Sequence, residues 1–401
     1  MKKDQKWIKK RHSFFTELAR VFFGPIARRM YRAKPEKFKE QGDRAYLVLY
    51  NHQTPFDQFF VGMSFRGPVY YVATEDIFSL GFLSALLRFA VAPIPIVKST
   101  TDLKAVKICI RVAKEGGTIA IAPEGNRTYS GKTEYINPAI ASLAKKLGLP
   151  IALYRIEGGY GVEPRWSDKR RKGAMRSYVS RVIEPEEAAA ITGDELMTAI
   201  REGLCINEGA TGGTFRSNKK AEYLERAIYC CPYCGLSKLE SDGNEIACQT
   251  CGRRIVYGED KRLTGVGFDF PFGSVADWYD AQSDFVGSLD LSAYTDKPAF
   301  TDTADLYDVE LGRRKKLIRK DVQVRLYGDR IEIDGNESIV LPFETLRAAA
   351  VLGRNKLNLY DADRTCQLRG NKRFNALKYV NLYYCSKNID RGDKDGKFLG
   401  L

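Results

Sequence analysis

The sequence predicts an α/β domain followed by a small cysteine-rich module and a β-rich domain. Short apolar runs alternate with helical patterns over residues 45–208, which is the signature of α/β architecture. Cysteines then fall in two closely spaced pairs within residues 226–260, and short alternating strands fill residues 302–390. The 401 residues suffice for two or three domains, and 44% hydrophobic with 28% charged residues excludes a disordered, collagen-like or coiled-coil chain.

The α/β domain is expected to alternate buried strands with helices. Apolar runs predict the strands Ala45–Tyr50, Val69–Ala73, Thr118–Ala122 and Ile151–Tyr154. Spacing and end signals predict a helix with one face at Leu103, Val106, Ile110 and Ala113, a helix from Asn137 to Gly148, and one capped by Thr192 and Glu195. Residues 209–225 are rich in Gly, Thr and Ser and are expected to form a linker, and residues 261–301 a connecting segment.

The N-terminal residues 1–44 are strongly basic. They carry fourteen Lys or Arg against five Asp or Glu, with a cluster of phenylalanines among the charges, and the whole chain has a net charge of +14. This mixture predicts a helix lying on an anionic membrane surface. The alternative is an amphipathic helix docked on its own domain. No plain transmembrane segment or signal peptide is evident, and the nearest apolar stretch, 77–97, carries Arg88, Pro93 and Pro95.

A candidate catalytic motif follows the first predicted strand. Only two histidines occur in the chain, and His52 lies in Asn51-His52-Gln53-Thr54-Pro55-Phe56-Asp57. Histidine takes up a proton near neutral pH, and a carboxylate five residues later is able to orient the imidazole. With no Ser or Cys nucleophile evident nearby, the base is expected to activate a substrate hydroxyl. The alternative is a loop histidine that caps a helix beginning at Asp57.

A second motif follows the predicted strand Thr118–Ala122 and reads Pro123-Glu124-Gly125-Asn126-Arg127-Thr128. Gly125 permits a close approach of the backbone, Arg127 is suited to hold a phosphate with two donors, and Glu124 is suited to accept hydrogen bonds from a polyol. The alternative is a tight turn with a surface salt bridge.

The two motifs, in this order, resemble blocks of the glycerolipid acyltransferase family, which includes 1-acylglycerol-3-phosphate acyltransferases. The family's N-H-x-x-x-x-D block is matched by Asn51, His52 and Asp57, and its F-P-E-G-T-R-S block by residues 123–125 and Arg127. A V-P-I-like block is matched by residues 149–151. In the remaining block Lys98 stands where arginine is usual. Lysine keeps the positive charge but lacks the two parallel N–H donors of a guanidinium. The resemblance spans about residues 40–205.

The resemblance implies a 1-acyl-sn-glycerol-3-phosphate O-acyltransferase. His52 would be the general base oriented by Asp57, while the substrate-binding residues would be Asn51, Lys98, Glu124, Gly125 and Arg127. The acyl donor would be acyl-CoA or acyl-carrier protein, and the acceptor a lysophospholipid. The expected location is peripheral, on the cytoplasmic face of an anionic membrane.

The cysteine pairs predict a zinc ribbon. Cys231 and Cys234 form one C-x-x-C-G turn, and Cys248 and Cys251 form another, so four thiolates are expected to enclose one structural zinc ion. The adjacent Cys230 is a competing ligand, and reduced structural cysteines or a redox pair are the alternative. The setting is expected to be a reduced cytosolic one.

A second class of function stays open because zinc ribbons often bind nucleic acid or protein. The chain would then use the ribbon and the basic runs 165–176 and 313–325 beside a non-catalytic acyltransferase-like domain. No recognition-helix or RNA-binding pattern supports this, so nucleic acid is the disfavoured partner. The last block weakly resembles a pleckstrin-homology or GRAM-type lipid-binding module, and a stabilising or regulatory β-rich domain is the alternative.

Overall fold

The computed structural model describes residues 6–74, 78, 82–96, 103–309, 315–335, 338–361, 364–390 and 399–400. The chain divides into two compact units. The first unit contains Met1–Pro164 and Lys172–Phe215, and the second contains Arg165–Arg171 and Arg216–Leu401.

The first unit alternates strands and helices as the sequence predicts. Its elements are α1 (Lys10–Tyr31), β1 (Ala33–Pro35), β2 (Leu47–Tyr50), α2 (Asp57–Ser64), β3 (Val69–Thr74), α3 (Phe82–Ala90), β4 (Ile94–Ile96), α4 (Leu103–Lys114), β5 (Thr118–Ile121), α5 (Ala139–Leu147), β6 (Ile151–Glu157), α6 (Gly159–Val162), β7 (Met175–Ile183), α7 (Pro185–Ala190) and α8 (Gly193–Leu204). The predicted capping box of α8 is present, because the Thr192 and Glu195 side chains each accept from the other's main-chain N–H.

A seven-stranded sheet in the order β1-β7-β6-β2-β5-β3-β4 forms the centre of this unit. Neighbouring strands are parallel except for the antiparallel pair β6 and β7. Successive β2 side chains enter the cores on opposite faces, with Leu47 and Leu49 on one side and Val48 and Tyr50 on the other. Because β2, β5 and β6 are parallel, the loops after them leave from one sheet edge, where α/β proteins place their ligands.

Helix α1 has one packed face and one exposed apolar face. It packs against α2 and α3 through a face that includes Gly24, Ala27 and Tyr31. Its other face leaves large apolar side chains in solvent. The segment before α1 is fixed, because the Glu115 carboxylate accepts the main-chain N–H groups of Trp7 and Ile8.

The segment predicted as a linker contains a residue packed into the first unit. The Phe215 ring is buried in the core on one sheet face. A Cβ atom added at Gly161 or Gly173 would lie 2.4 Å or 2.1 Å from this ring, so glycine is needed at both positions. Residues 209–215 are therefore folded onto the first unit.

The second unit contains the cysteine module and the β-rich part. Its elements are β8 (Cys230–Cys231), β9 (Gly235–Leu236), β10 (Leu239–Asp242), β11 (Glu245–Cys248), β12 (Arg254–Tyr257), β13 (Leu263–Gly265), α9 (Val275–Gly287), β14 (Phe300–Val309), β15 (Lys316–Leu326), β16 (Arg330–Ile333), β17 (Ile339–Pro342), β18 (Ala348–Leu352), β19 (Lys356–Tyr360), β20 (Thr365–Gly370) and α10 (Leu377–Asp390). The last helix, α10, begins at Leu377 and extends to Asp390.

Three antiparallel sheets organise the second unit. Strands β8 and β9 form a ribbon, and β10 to β13 form a four-stranded sheet in chain order. The third sheet has the order β17-β16-β15-β14-β20-β19-β18, and α10 packs against β18 and β19. Residues 165–171 belong to this unit because Trp166 is buried in it and Asp168 pairs with the buried Arg226 guanidinium at 2.7 Å.

Candidate active site

The loop between β2 and α2 surrounds the Asp57 carboxylate with hydrogen-bond donors. Asp57 is the first residue of α2 and is fully buried. Its oxygens accept the main-chain N–H of Gln53 at 2.7 Å, the main-chain N–H of Thr54 at 3.0 Å and the Thr54 hydroxyl at 2.6 Å. These donors, with the positive end of the helix dipole, stabilise a buried negative charge beside the histidine.

The His52 imidazole lies against this carboxylate. Its Nδ1 atom is 2.7 Å from Asp57 Oδ2, and the His52 side chain is 24% exposed. Because a carboxylate only accepts hydrogen bonds, Nδ1 carries the proton and Nε2 keeps a free lone pair. The pair therefore provides an oriented base that solvent and ligands can reach.

Glu124 connects the two motifs. Its Oε1 atom accepts the main-chain N–H of His52 at 2.9 Å, and Oε2 accepts the main-chain N–H of Glu134 at 2.8 Å. The carboxyl is buried, and loss of solvation raises its pKa to about 8 against the opposing effect of the two N–H donors. Glu124 thus holds the histidine loop and the loop after β5 together.

The remaining residues of the second motif form a turn beside Glu124. Gly125 has a φ of +69° and its N–H donates to the Ala122 carbonyl at 3.0 Å, so this position requires the left-handed conformation that glycine adopts easily. Gly125 is exposed and Arg127 is half-buried. The predicted phosphate contact Lys98 lies outside the described residues.

Asn51 is bonded to the main chain of β6. Its Nδ2 donates to the Ile156 carbonyl at 2.8 Å, and its Oδ1 accepts the Ile156 N–H at 2.7 Å. The side chain is buried, and both ends of its amide therefore hold the end of β2 to β6. The structure brings Asn51, His52, Asp57, Glu124, Gly125 and Arg127 to one edge of the sheet.

Three further side chains support the loop and were not predicted from the sequence as site residues. Thr54 donates to Asp57, and its spacing of three residues before an acid is a helix-start signal that was available. Gln53 and Glu208 hydrogen-bond each other at 3.2 Å although they are 155 residues apart. No local pattern signals a contact at that separation.

The geometry suits deprotonation of a hydroxyl group that comes from a substrate. Nε2 of His52 is the accessible acceptor, and the only hydroxyl within residues 51–57 is that of Thr54, which is buried and already donates to Asp57. The Thr54 oxygen is therefore poorly placed as a nucleophile.

Comparison with known proteins agrees with the motifs. Residues 30–155 match the model of the Acyltransferase family. The chain contains an acyltransferase-family domain. Among solved structures it is similar to the 1-acyl-sn-glycerophosphate (LPA) acyltransferase PlsC from Thermotoga maritima, with 19% identity over 49% of this chain and 76% of that chain and a TM-score of 0.40. No curated protein matches the chain.

The match of residues 30–155 to the family model confirms the family resemblance deduced from the motifs. The matched segment ends at residue 155, so the acyltransferase family model includes His52, Asp57, Glu124 and Arg127 but not α8 or the segment after it. In the described part of the chain, every helix is either too short or too polar to cross a membrane.

Beyond the acyltransferase domain, the predicted cysteines come together. The Sγ atoms of Cys231, Cys234, Cys248 and Cys251 all lie within 4.8 Å of one another. The Cys231 and Cys251 sulfurs are 3.8 Å apart. A zinc ion with Zn–S bonds of about 2.3 Å requires sulfurs separated by roughly 3.8 Å in a tetrahedron, so the cluster fits that ion. Gly235 and Gly252, with φ of +73° and +72°, follow the two pairs.

Proposed function

We propose that the protein transfers a fatty acyl chain from a thioester donor to the free hydroxyl of a lysophospholipid. The favoured acceptor is 1-acyl-sn-glycerol-3-phosphate, and the product is then phosphatidate. The observation that carries the proposal is the His52–Asp57 pair, with an Nδ1 to Oδ2 distance of 2.7 Å, inside an acyltransferase-family domain.

The chemistry follows from the protonation state of the histidine. Nε2 of His52 removes the proton from the acceptor hydroxyl while its oxygen attacks the thioester carbonyl, and Asp57 stabilises the resulting imidazolium. The tetrahedral intermediate collapses with cleavage of the carbon–sulfur bond. The imidazolium returns the proton to the departing thiolate, so the products are an ester and a free thiol. The donor is acyl-CoA or acyl-carrier protein.

The acceptor's phosphate is assigned to Arg127, whose guanidinium is suited to two parallel hydrogen bonds, with Lys98 as a second cation. Glu124 and Gly125 shape the loop that carries Arg127. Glu124 already accepts two main-chain N–H bonds, so we assign it the task of holding the loop in addition to any contact with the glycerol. Such orientation lowers a reaction barrier by several kcal/mol, on the order of the values that effective-molarity measurements give.

We also propose that α1 and α3 rest on the cytoplasmic surface of an anionic membrane as a peripheral contact. Val21 of α1 is 66% exposed and Phe82 of α3 is 85% exposed. The two helices meet where the Phe15 and Phe89 rings contact each other and the Arg11 guanidinium lies 4.2 Å from the Phe89 ring centre. Exposed aromatic side chains beside cations suit the lipid headgroup boundary.

The β-rich part is proposed to provide a second lipid contact. Leu317 and Ile318 are 39% and 49% exposed, although neighbouring strand residues point to opposite faces. The beginning of β15 is therefore uncovered on both faces. The residues on either side of the Leu317–Ile318 pair, at positions 315, 316, 319 and 320, are all Lys or Arg. The meander β14 to β17, the second group β18 to β20 and the final α10 support the similarity to a pleckstrin-homology module.

A structural zinc ion is proposed for the four-cysteine cluster. Four sulfur ligands leave no coordination position for a substrate, so the ion would hold the two turns together and take no part in acyl transfer.

The alternative function as a nucleic-acid-binding protein receives little support from the basic run 165–176. Arg165 donates to the Gly353 carbonyl at 2.9 Å, and the buried Arg171 guanidinium lies against the Trp166 and Tyr257 rings.

The deciding experiment is an acyl-transfer assay with purified protein. Wild type would be tested with a panel of lysophospholipids and glycerol 3-phosphate, each with acyl-CoA and acyl-carrier-protein donors. We expect transfer to 1-acylglycerol-3-phosphate, and a loss of at least about 1,000-fold in His52→Ala because the general base is absent. Glu186→Gln, an exposed carboxyl on α7, is the control. Equal rates for wild type and His52→Ala would refute the proposal.

A further inference from the structure

Gln53 lies directly after the base, and both ends of its amide are engaged. The side chain is 1% exposed. Its Oε1 atom accepts the main-chain N–H of Tyr160 at 3.0 Å, and its Nε2 donates to Glu208 Oε1 at 3.2 Å. The main-chain N–H of the same residue donates to Asp57. Gln53 is therefore tied to the catalytic carboxylate on one side and to two distant segments on the other.

Glu208 receives this amide at a fully buried position after α8. Its Oε1 also accepts the main-chain N–H of Gly158 at 2.5 Å, and its Oε2 accepts the Thr211 hydroxyl at 3.2 Å. Its own N–H donates to the Gly131 carbonyl at 2.9 Å. Three separate loops thus converge on one residue outside the segment that matches the family model.

The packing around the Gln53 amide leaves little freedom. A Cβ atom at Gly159 would lie 2.8 Å from Gln53 Oε1 and 2.9 Å from the Thr54 methyl carbon, so the backbone of α6 approaches closely only because this residue is glycine. On the other side of His52, its main-chain N–H donates to Glu124. The loop that carries the base is therefore held by Glu124 on one side and, through Gln53, by Glu208 on the other.

We propose that Gln53 and Glu208 act as a positioning pair that holds the His52–Asp57 loop in its reactive geometry. The inference rests on the proposed acyl transfer, and it assigns a role in that reaction to a residue beyond the family-matched segment. Neither side chain needs to touch the substrate. Their effect is on the placement of Nε2, and a displacement of about 1 Å at such a site is able to cost about 100-fold in rate.

The test exchanges the amide and the carboxylate. Gln53→Glu places a second carboxylate against Glu208, and Glu208→Gln removes the charged acceptor. The exchanged double variant Gln53→Glu/Glu208→Gln restores one amide and one carboxylate, so the amide nitrogen at position 208 is able to donate to position 53. The Gly158 N–H, which now shares the Glu208 Oε1 acceptor with Gln53, then loses its partner. We expect kcat to fall at least about 10-fold in Gln53→Glu with KM within about twofold, and to recover in part in the exchanged variant because only the bond between positions 53 and 208 is restored.

A second measurement does not depend on turnover. With only two histidines in the chain, ¹⁵N-labelled histidine gives a simple spectrum, and His12→Gln assigns it. The hydrogen-bonded Nδ1–H proton of His52 is expected to be far downfield in wild type, to weaken or shift in Gln53→Glu, and to return in the exchanged variant. Gln323→Glu makes the same change at an exposed site and is expected to behave as wild type in both measurements.

The outcomes separate this inference from the proposed function. In one outcome, wild type shows no acyl transfer while its downfield His52 proton signal weakens in Gln53→Glu and returns in the exchanged variant. That result would overturn the acyltransferase proposal but support the positioning pair. Active wild type with unchanged kcat and an unchanged His52 proton in Gln53→Glu would overturn the pair alone. Loss of folding in both single variants without recovery in the exchanged variant would also overturn it, since a complementary pair must be restored by exchange.

Discussion

The main-chain N–H of His52 donates to Oε1 of Glu124 at 2.9 Å, so one hydrogen bond joins two motifs that are 72 residues apart in the chain. The carboxyl that accepts it has its second oxygen bonded to the Glu134 N–H. The position of the proposed general base, His52, is consequently coupled to the protonation state of a buried acid. This coupling leads to a prediction about pH.

Ionisation of Glu124 is expected to raise activity and to lower stability. Burial raises its pKa to about 8 from an ordinary value of 4.5. Because the folded pKa is the higher one, its contribution to stability is fully present below pH 4.5 and is lost as pH rises through 8. The ionised carboxylate is the better acceptor for both N–H groups, so kcat/KM should increase over the same upper range.

The measurement compares wild type with Glu124→Gln, which does not titrate. We expect a rise in wild-type kcat/KM near pH 8 that the variant lacks, and a lower activity of the variant by about tenfold at pH 9. Urea unfolding at pH 6 and pH 9 should show wild type losing stability relative to the variant as pH rises. Parallel pH profiles for the two proteins would contradict this assignment.

The Thr54 hydroxyl is expected to matter for catalysis through Asp57. It donates to Oδ1 at 2.6 Å from a fully buried position, and hydrogen bonds to charged groups contribute about 1.5–3 kcal/mol. Thr54→Val keeps the shape and removes the donor, so kcat should fall by about 10- to 100-fold. Thr54→Ser keeps the hydroxyl and should stay within about threefold of wild type. Equal losses in both variants would indicate a packing effect of the methyl group instead.

Metal removal should affect the second unit. We expect about one zinc ion per chain by metal analysis, and none in Cys231→Ser/Cys248→Ser, because two of four ligands are lost. The double variant and chelator-treated wild type should become sensitive to protease within residues 226–260, since metal binding is coupled to folding in such modules. Cys205→Ser, at an exposed thiol outside the cluster, is the control. Full metal content in the double variant would exclude this site.

The sequence predicts the central strands and the contact between His52 and Asp57 well because both are encoded locally. The β2 strand is a continuous apolar run, and His52 and Asp57 are five residues apart in one loop. The roles of Asn51 and Gln53 are not evident in the same way, because each bonds a partner more than 100 residues away. His12 is another case: the sequence places it in a basic segment, whereas it is buried with Nδ1 3.1 Å from the Tyr70 hydroxyl.

The last prediction concerns the proposed N-terminal membrane contact, in which the α1 side chains Val21 and Phe22 are 66% and 61% exposed. Val21→Ser/Phe22→Ser removes apolar surface without touching the buried residues of α1, so folding should be retained. In sedimentation with vesicles containing phosphatidylglycerol, the variant should bind at least about fivefold more weakly than wild type. Wild type should bind neutral phosphatidylcholine vesicles weakly, and added salt should reduce its binding to anionic vesicles.

Leu317→Ser/Ile318→Ser tests the β15 contact separately, and an intermediate loss of vesicle binding in this variant would indicate two contacts that act together. Undiminished vesicle binding in both variants would contradict the two assigned contacts. Tighter binding of wild type to DNA or RNA than to vesicles at matched salt would favour the nucleic-acid alternative.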